Sequence, residues 1–352
     1  MIFKKCVVNG SLTDIVAEDG KIKKIGKTSE DGFDLNYARI YSGLIDIHTH
    51  GCLGYDTMDG DKLEKMSRYQ AENGVTSFLP TTMTMDMQKI KSVVNADLPS
   101  TSGAQVLGFH MEGPYISKNR KGAQNEKFIK SPDIEEFKNF KNIKMVTLAP
   151  ELPGSLDFIE KCEAVVCIGH TDATYEQTVS AIERGAKCLT HTFNAMPPLH
   201  HRNPGPIGAA IDKNIFVQVI CDGIHIHESV IKMLYRTFSA DRMILISDSM
   251  RATGLADGEY EFGGQQVFVN NGIARSADGT IAGSTSSLFD CVKKAIEFGV
   301  CEKDAFRMAS ETPAKLLGLN KGKLEEGFDC DFIALDENLN LKTVVIEGRV
   351  CS

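Results

Sequence analysis

No uninterrupted apolar run in this 352-residue chain approaches the roughly 18 residues a membrane span requires, which excludes a spanning helix. The opening stretch, MIFKKCVVNG, has neither a sustained apolar core nor a cleavage site, so a cytoplasmic protein without a secretion signal is expected. The ten cysteines stand singly, with no CxxC pair, and are expected to be reduced thiols, several of them inside apolar, core-like runs. An excess of positive charge is missing as well. The formal net charge of −8 argues against a general nucleic-acid binder and against docking on an anionic membrane surface. An anionic substrate would have to be held by a local positive site. No GxGxxG follows the first strand-like run, and neither low-complexity segments nor a repeat of fixed period occur.

What is present is the composition of a globular enzyme, with 42% hydrophobic and 24% charged residues, in a length that suits one large domain and a smaller one. Both ends alternate apolar and polar residues between Asn-Gly, Asp-Gly and Glu-Gly pairs, the pattern of β-hairpins. Residues 1–42 and 320–352 are therefore expected to build one small β-domain, and 43–319 a different, larger one. In that middle, compact apolar runs occur at SGLIDIH, GVTSFLP, AQVLGFHME, IKMVTLAP, AVVCIGH, AKCLTH, IFVQVICDG and RMILISD. Helix-like stretches such as DKLEKMSRYQAENG, SPDIEEFKNF, TYEQTVSAIERG and HESVIKMLYRTF lie between most of them. Continuous apolar runs are the mark of buried parallel strands, and about eight β-then-α units favour a (β/α)₈ barrel over a doubly wound sheet.

All nine histidines fall between positions 48 and 227, and several stand where an apolar run ends. Barrel enzymes carry their chemistry at the C-terminal ends of the strands, so these side chains are expected to converge on one face. His48 and His50 are two apart on a strand, which lets both imidazoles reach one ion. Glu112 ends the third run, where Gly113-Pro114 forces a turn, and can ligate or bridge metals. His170 in IGHTDAT and His191 in THTFNAMPP complete a Glu-His-His set with it. Three protein ligands and an open position are what a hydrolytic site requires. Asp248, in ISDS, is placed to take a proton from water and return it to a leaving nitrogen. An aspartate at a strand end is also a common helix cap; the four ligand-bearing strands before it favour the catalytic role.

The ordered set HTHG, HMEGP, IGHTDAT, THTFNAMPP, CDGIH, ISDS and GTIAGS resembles the N-acetylglucosamine-6-phosphate deacetylases of the amidohydrolase superfamily, along nearly the whole chain. The resemblance implies an α/β fold, a (β/α)₈ TIM barrel with a small β-sandwich built from both termini, usually as a homodimer. It implies Glu112, His170 and His191 as metal ligands, with His48 and His50 for a second ion, and Asp248 as the catalytic acid/base. It implies substrate contacts at Ala123, Asn194, Ala195, Arg202, Asp222, Gly223, Ile224, His225, Ile281, Ala282 and Gly283. Arg202 resembles the phosphate-binding arginine that, in family dimers, reaches over from the neighbouring subunit. The implied cofactor is a divalent metal (Zn, Fe, Co or Mn), two per subunit. The implied partner is a small amino-sugar phosphate, with no nucleic acid and no membrane.

Two departures matter. Some relatives replace the HxH pair with Gln-x-Asn and hold one metal, whereas this chain keeps both histidines. Many relatives also carry a histidine after the position of Ala123, where it polarises the acetyl carbonyl; here the residue is Gln124, so a metal ion or the Gln124 amide must serve. A carboxylated lysine bridging two metals is a poor fit, because IKMVTLAPE offers Lys144 only at its beginning, away from the active face. The rival readings are deacetylation of N-acetylgalactosamine 6-phosphate, a dihydropyrimidinase-like or deaminase activity that leaves FNAMP unexplained, and a non-catalytic sugar-phosphate-binding barrel.

Overall fold

The computed structural model describes residues 1–351. Eight strands pair in parallel and in chain order: Leu44–Thr49, Val75–Thr82, Phe109–Glu112, Ile143–Leu148, Val165–Ile168, Cys188–Leu189, Phe216–Ile220 and Met243–Ile246. A bridge from Thr49 to Ser249 carries the eighth strand back to the first. There the Thr49 and Ser249 hydroxyls bond at 2.7 Å, and the Asp248 amide donates to the His48 carbonyl at 2.9 Å. This is the expected barrel, and each of the eight apolar runs supplies one strand. The first two strands are buried at every residue, as strands with both faces covered must be.

The helices follow the barrel logic with two differences. SPDIEEFKNF yields only the short helix Ile134–Phe137. Asp133 caps its start, accepting from the Glu135 and Glu136 amides, but the Asn139 side chain then takes the Glu135 carbonyl at 2.8 Å. Asparagine competes with the backbone in this way, which ends helices early. The second difference is an antiparallel meander, Gly258–Phe262, Gln265–Asn270 and Ile273–Ser276, inserted between the eighth strand and the helix Leu288–Glu297. Its first turn, Gly263-Gly264, has φ of +59° and +79°, the geometry a two-residue hairpin needs.

The ends of the chain meet in one eight-stranded sheet, where Phe332–Leu335 pairs with Arg39–Ser42. Phe3, Ile15, Ile22, Phe332 and Val345 form its own buried cluster, with the Phe3 and Phe332 rings edge-to-face at 4.9 Å. Among the described residues, no helix is long and apolar enough to cross a membrane, and all ten cysteines are free.

One cap bears on the site directly. In IGHTDAT, Thr174 starts the helix Tyr175–Glu183 with a reciprocal pair of bonds: its hydroxyl accepts from the Gln177 amide, and the Gln177 side chain accepts from the Thr174 amide. Thr174→Ala should destabilise the protein by about 1 kcal/mol. Denaturant unfolding measures this, and metal content should be unchanged, because the cap holds the helix rather than His170.

Candidate metal centre and active site

Five side chains from four strand ends converge on Glu112, which ends the third strand. His48 and His50 come from the first strand, His170 and His191 from the turns after the fifth and sixth, and Asp248 from the turn after the eighth. His170, His191 and Asp248 all carry positive φ (47°, 24° and 47°). Non-glycine residues in that region are strained, at about 1–3 kcal/mol each, and persist where their surroundings over-determine them. Here the surroundings are the barrel rim itself.

Glu112 Oε1 lies 3.0 Å from His191 Nε2, 3.2 Å from His170 Nε2 and 3.3 Å from His48 Nε2, while Oε2 lies 3.3 Å from His50 Nε2. Two ligand sets result, His48–His50–Glu112 and Glu112–His170–His191, each with its donor atoms within 4.8 Å of one another. Tetrahedral bonds of about 2.0–2.1 Å put neighbouring ligand atoms roughly 3.3 Å apart, close to these separations.

The ring tautomers test whether metal ions suit the site. His170 Nδ1 lies 2.9 Å from the Arg120 carbonyl and His50 Nδ1 lies 3.2 Å from the Thr81 carbonyl. A carbonyl only accepts, so both Nδ1 atoms carry a proton, and each Nε2, turned inward at carboxylate oxygens, must either carry a second proton or meet a cation. His48 Nδ1 is likewise held, at 3.1 Å, by the Gln218 side-chain oxygen. Lone pairs facing carboxylates repel unless a cation sits between them, and fixing the far nitrogen is how proteins aim histidine at a metal. The donor set therefore fits a divalent metal.

The charges agree. Burial alone would raise the Glu112 carboxyl, but His48, His170 and His191 hold it well below the usual range. Burial opposes ionisation of Asp248 too, and His48, His50 and His191 pull it down to about 2. Burial lowers His50, yet Asp248 and Glu112 lift it to about 10. Carboxylates and imidazoles here favour one another's charged forms.

The Gln124 amide is committed within the protein. Its side-chain oxygen accepts from the Thr84 amide at 2.7 Å, and its nitrogen donates to Glu112 Oε2 at 2.7 Å and faces Met83 Sδ at 3.8 Å. Both ends are engaged, leaving no free N–H for a substrate.

These groups open on a cavity of about 330 Å³. His50, Glu112, His170, His191 and Asp248 line it, as do Ala123, Asn194, Ala195, His225, Ile281 and Gly283 from the expected substrate contacts. His48 is fully buried, as is Ala282. Asp222 orients His225: its carboxylate accepts from His225 Nδ1 at 2.7 Å and from the Ile224 and His225 amides. Burial opposes protonation of His225, but Asp222 raises its pKa, which suits it to an anionic ligand. Gly223 and Ile224 form the turn between them, with Ile224 exposed. Arg202 is not brought to the cavity of its own chain. It is exposed, with Nη1 2.8 Å from His201 Nε2.

The cavity also has walls that sequence reasoning missed: Asn119, Arg120, Gly122, Phe262 and Thr280. Phe262 belongs to the meander and lies edge-on to His50 at 5.2 Å, and Gln265 ties the meander to the Ala123 carbonyl at 2.7 Å. The alternation EYEFGGQQVFVNNGIARS was the available signal.

The profile of the amidohydrolase family matches residues 39–351. The N-acetylglucosamine-6-phosphate deacetylase of Lysinibacillus sphaericus is 37% identical over 358 residues, covering 96% of this chain and 92% of that protein. The N-acetylgalactosamine-6-phosphate deacetylase of Escherichia coli O157:H7 is 36% identical, covering 88% and 86%. The crystal structure of N-acetylglucosamine-6-phosphate deacetylase from Thermotoga maritima superposes with a TM-score of 0.92 at 34% identity, covering 100% of this chain and 99% of that one.

Proposed function

The chain belongs to the amidohydrolase family, and we propose that it hydrolyses the acetamide of N-acetylglucosamine 6-phosphate, releasing acetate and glucosamine 6-phosphate. The observation that carries this reading is the convergence of Asp248 with the Glu112–His170–His191 set on one cavity. Glu112, His170 and His191 would hold one divalent metal, and His48, His50 and Glu112 a second, which would supply Lewis acidity towards water and the acetyl carbonyl. Zn²⁺, Fe²⁺, Co²⁺ and Mn²⁺ all suit imidazole and carboxylate ligands. Ionised Asp248 takes the proton of the attacking water on its carboxylate and delivers it to the amine nitrogen, which otherwise leaves poorly. His225 and the backbone amide of Ala195 receive sugar and phosphate oxygens. Arg202 completes the phosphate site across a homodimer. We place the enzyme in the cytoplasm, where its phosphorylated substrate would be found.

Acetate release, assayed in parallel on the 6-phosphates of N-acetylglucosamine and N-acetylgalactosamine and on unphosphorylated N-acetylglucosamine, tests this. The expected order is the glucosamine phosphate first and the unphosphorylated sugar last. A preference for the galactosamine phosphate would reassign the sugar, and no acetate from any of them would leave a binding barrel.

The metal count has its own test. Reconstituted protein should hold two ions per chain, and the double variant His48→Gln, His50→Asn should fold and hold one. One ion in the reconstituted wild type removes the two-ion reading.

A further inference from the structure

Glutamate's terminal torsion is soft, so four imidazoles alone do not decide how Glu112 divides its two oxygens between the ligand sets. The division seen is definite: Oε1 faces His48, His170 and His191, and Oε2 faces His50. Oε2 is also the atom that receives the Gln124 amide, at 2.7 Å, from a side chain only 3% exposed.

The amide cannot turn over. The Thr84 backbone N–H lies 2.7 Å from the Gln124 side-chain oxygen, and a donor must face that oxygen, so the NH₂ must face Glu112. Thr84 closes the ring, its hydroxyl donating to the Glu112 carbonyl at 3.4 Å. Residues just beyond the second and third barrel strands are thereby locked to the carboxylate.

We propose that Gln124 is a positioning residue, holding Glu112 Oε2 towards His50 so that the His48–His50 set keeps a carboxylate oxygen for its own ion. This rests on the two-ion reading above. The amide donates to Oε2, and, being so engaged, itself stays out of the reaction. Without it, Oε2 is free to swing away from His50 and the second set loses its carboxylate.

The test is zinc binding by the full-length protein, by equilibrium dialysis against buffered Zn²⁺ followed by metal analysis. Gln124→Leu and Gln124→Met both delete the donor, and methionine keeps the unbranched length. Wild type should bind two ions. Each variant should keep the tighter ion, with the second weakened by about 10- to 100-fold, the usual effect of removing an outer-shell partner. One ion in wild type would reject the two-ion reading itself. Two ions in wild type and in both variants, at unchanged affinity, would overturn the role of Gln124 even if the variants melt earlier, because a merely structural residue moves Tm alone. Failure of both variants to fold would also overturn it, assigning the residue to the fold.

Discussion

Asp248→Asn should lower kcat by about 10²- to 10⁴-fold, the usual worth of a general acid/base, with metal content near that of the wild type. Asparagine keeps the shape and can still hydrogen-bond, but it has no carboxylate to accept a proton at neutral pH. Nothing nearby can replace it. Glu112 is the other acidic residue on the cavity wall, and its oxygens are taken up by four imidazoles and the Gln124 amide. His225 is tied through Nδ1 to Asp222 and held towards its protonated form, which makes it a poor base. The Asp248 carboxyl, pulled down to about 2, is ionised at working pH. Steady-state kinetics with metal analysis decides the matter. Near-normal kcat would remove Asp248 from the mechanism, and lost metal would recast it as a ligand.

The barrel was legible in the sequence because a buried parallel strand has no polar face, so each strand announces itself as an apolar run. The convergence of Glu112, His170, His191 and Asp248 was legible because barrel strands end on one face, and several such residues at successive strand ends outweigh the helix-cap or core reading of any one. The meander was harder. Its alternation and its Gly-Gly and Asn-Gly turns are plain in EYEFGGQQVFVNNGIARS, but the β/α rhythm on either side absorbed them, and with them went Phe262 and Thr280. Gln124 could be seen as a departure from relatives, yet its commitment depends on Thr84, forty residues earlier, which no local pattern connects to it. The support of His48 by Gln218 is hidden in the same way. Such contacts are properties of the closed barrel and exist only once distant strands have paired.

Arg202 marks a different limit, since its proposed partner is another copy of the chain. Within its own subunit it is exposed on the loop HHRNPGP, off the cavity, with His201 as its neighbour. A chain of net charge −8 repels a dianionic phosphate at long range, so capture must come from a few local donors. The planar guanidinium grips phosphate through two parallel hydrogen bonds, which an ammonium cannot reproduce. Arg202→Ala should therefore reduce kcat/KM for the 6-phosphate by about 1.5–3 kcal/mol, the worth of hydrogen bonds to a charged group. Arg202→Lys should recover part of this, and the low activity on unphosphorylated sugar should barely change. Equal losses on both substrates would mean that Arg202 supports the fold or the dimer instead of reading phosphate. Mixing the two impaired proteins tests the shared site directly. Heterodimers of Arg202→Ala and Asp248→Asn chains contain one cavity in which an intact Asp248 meets an intact Arg202 from across the interface. Activity should rise on mixing above that of either protein alone if the arginine acts in trans, and should not rise if each chain uses its own.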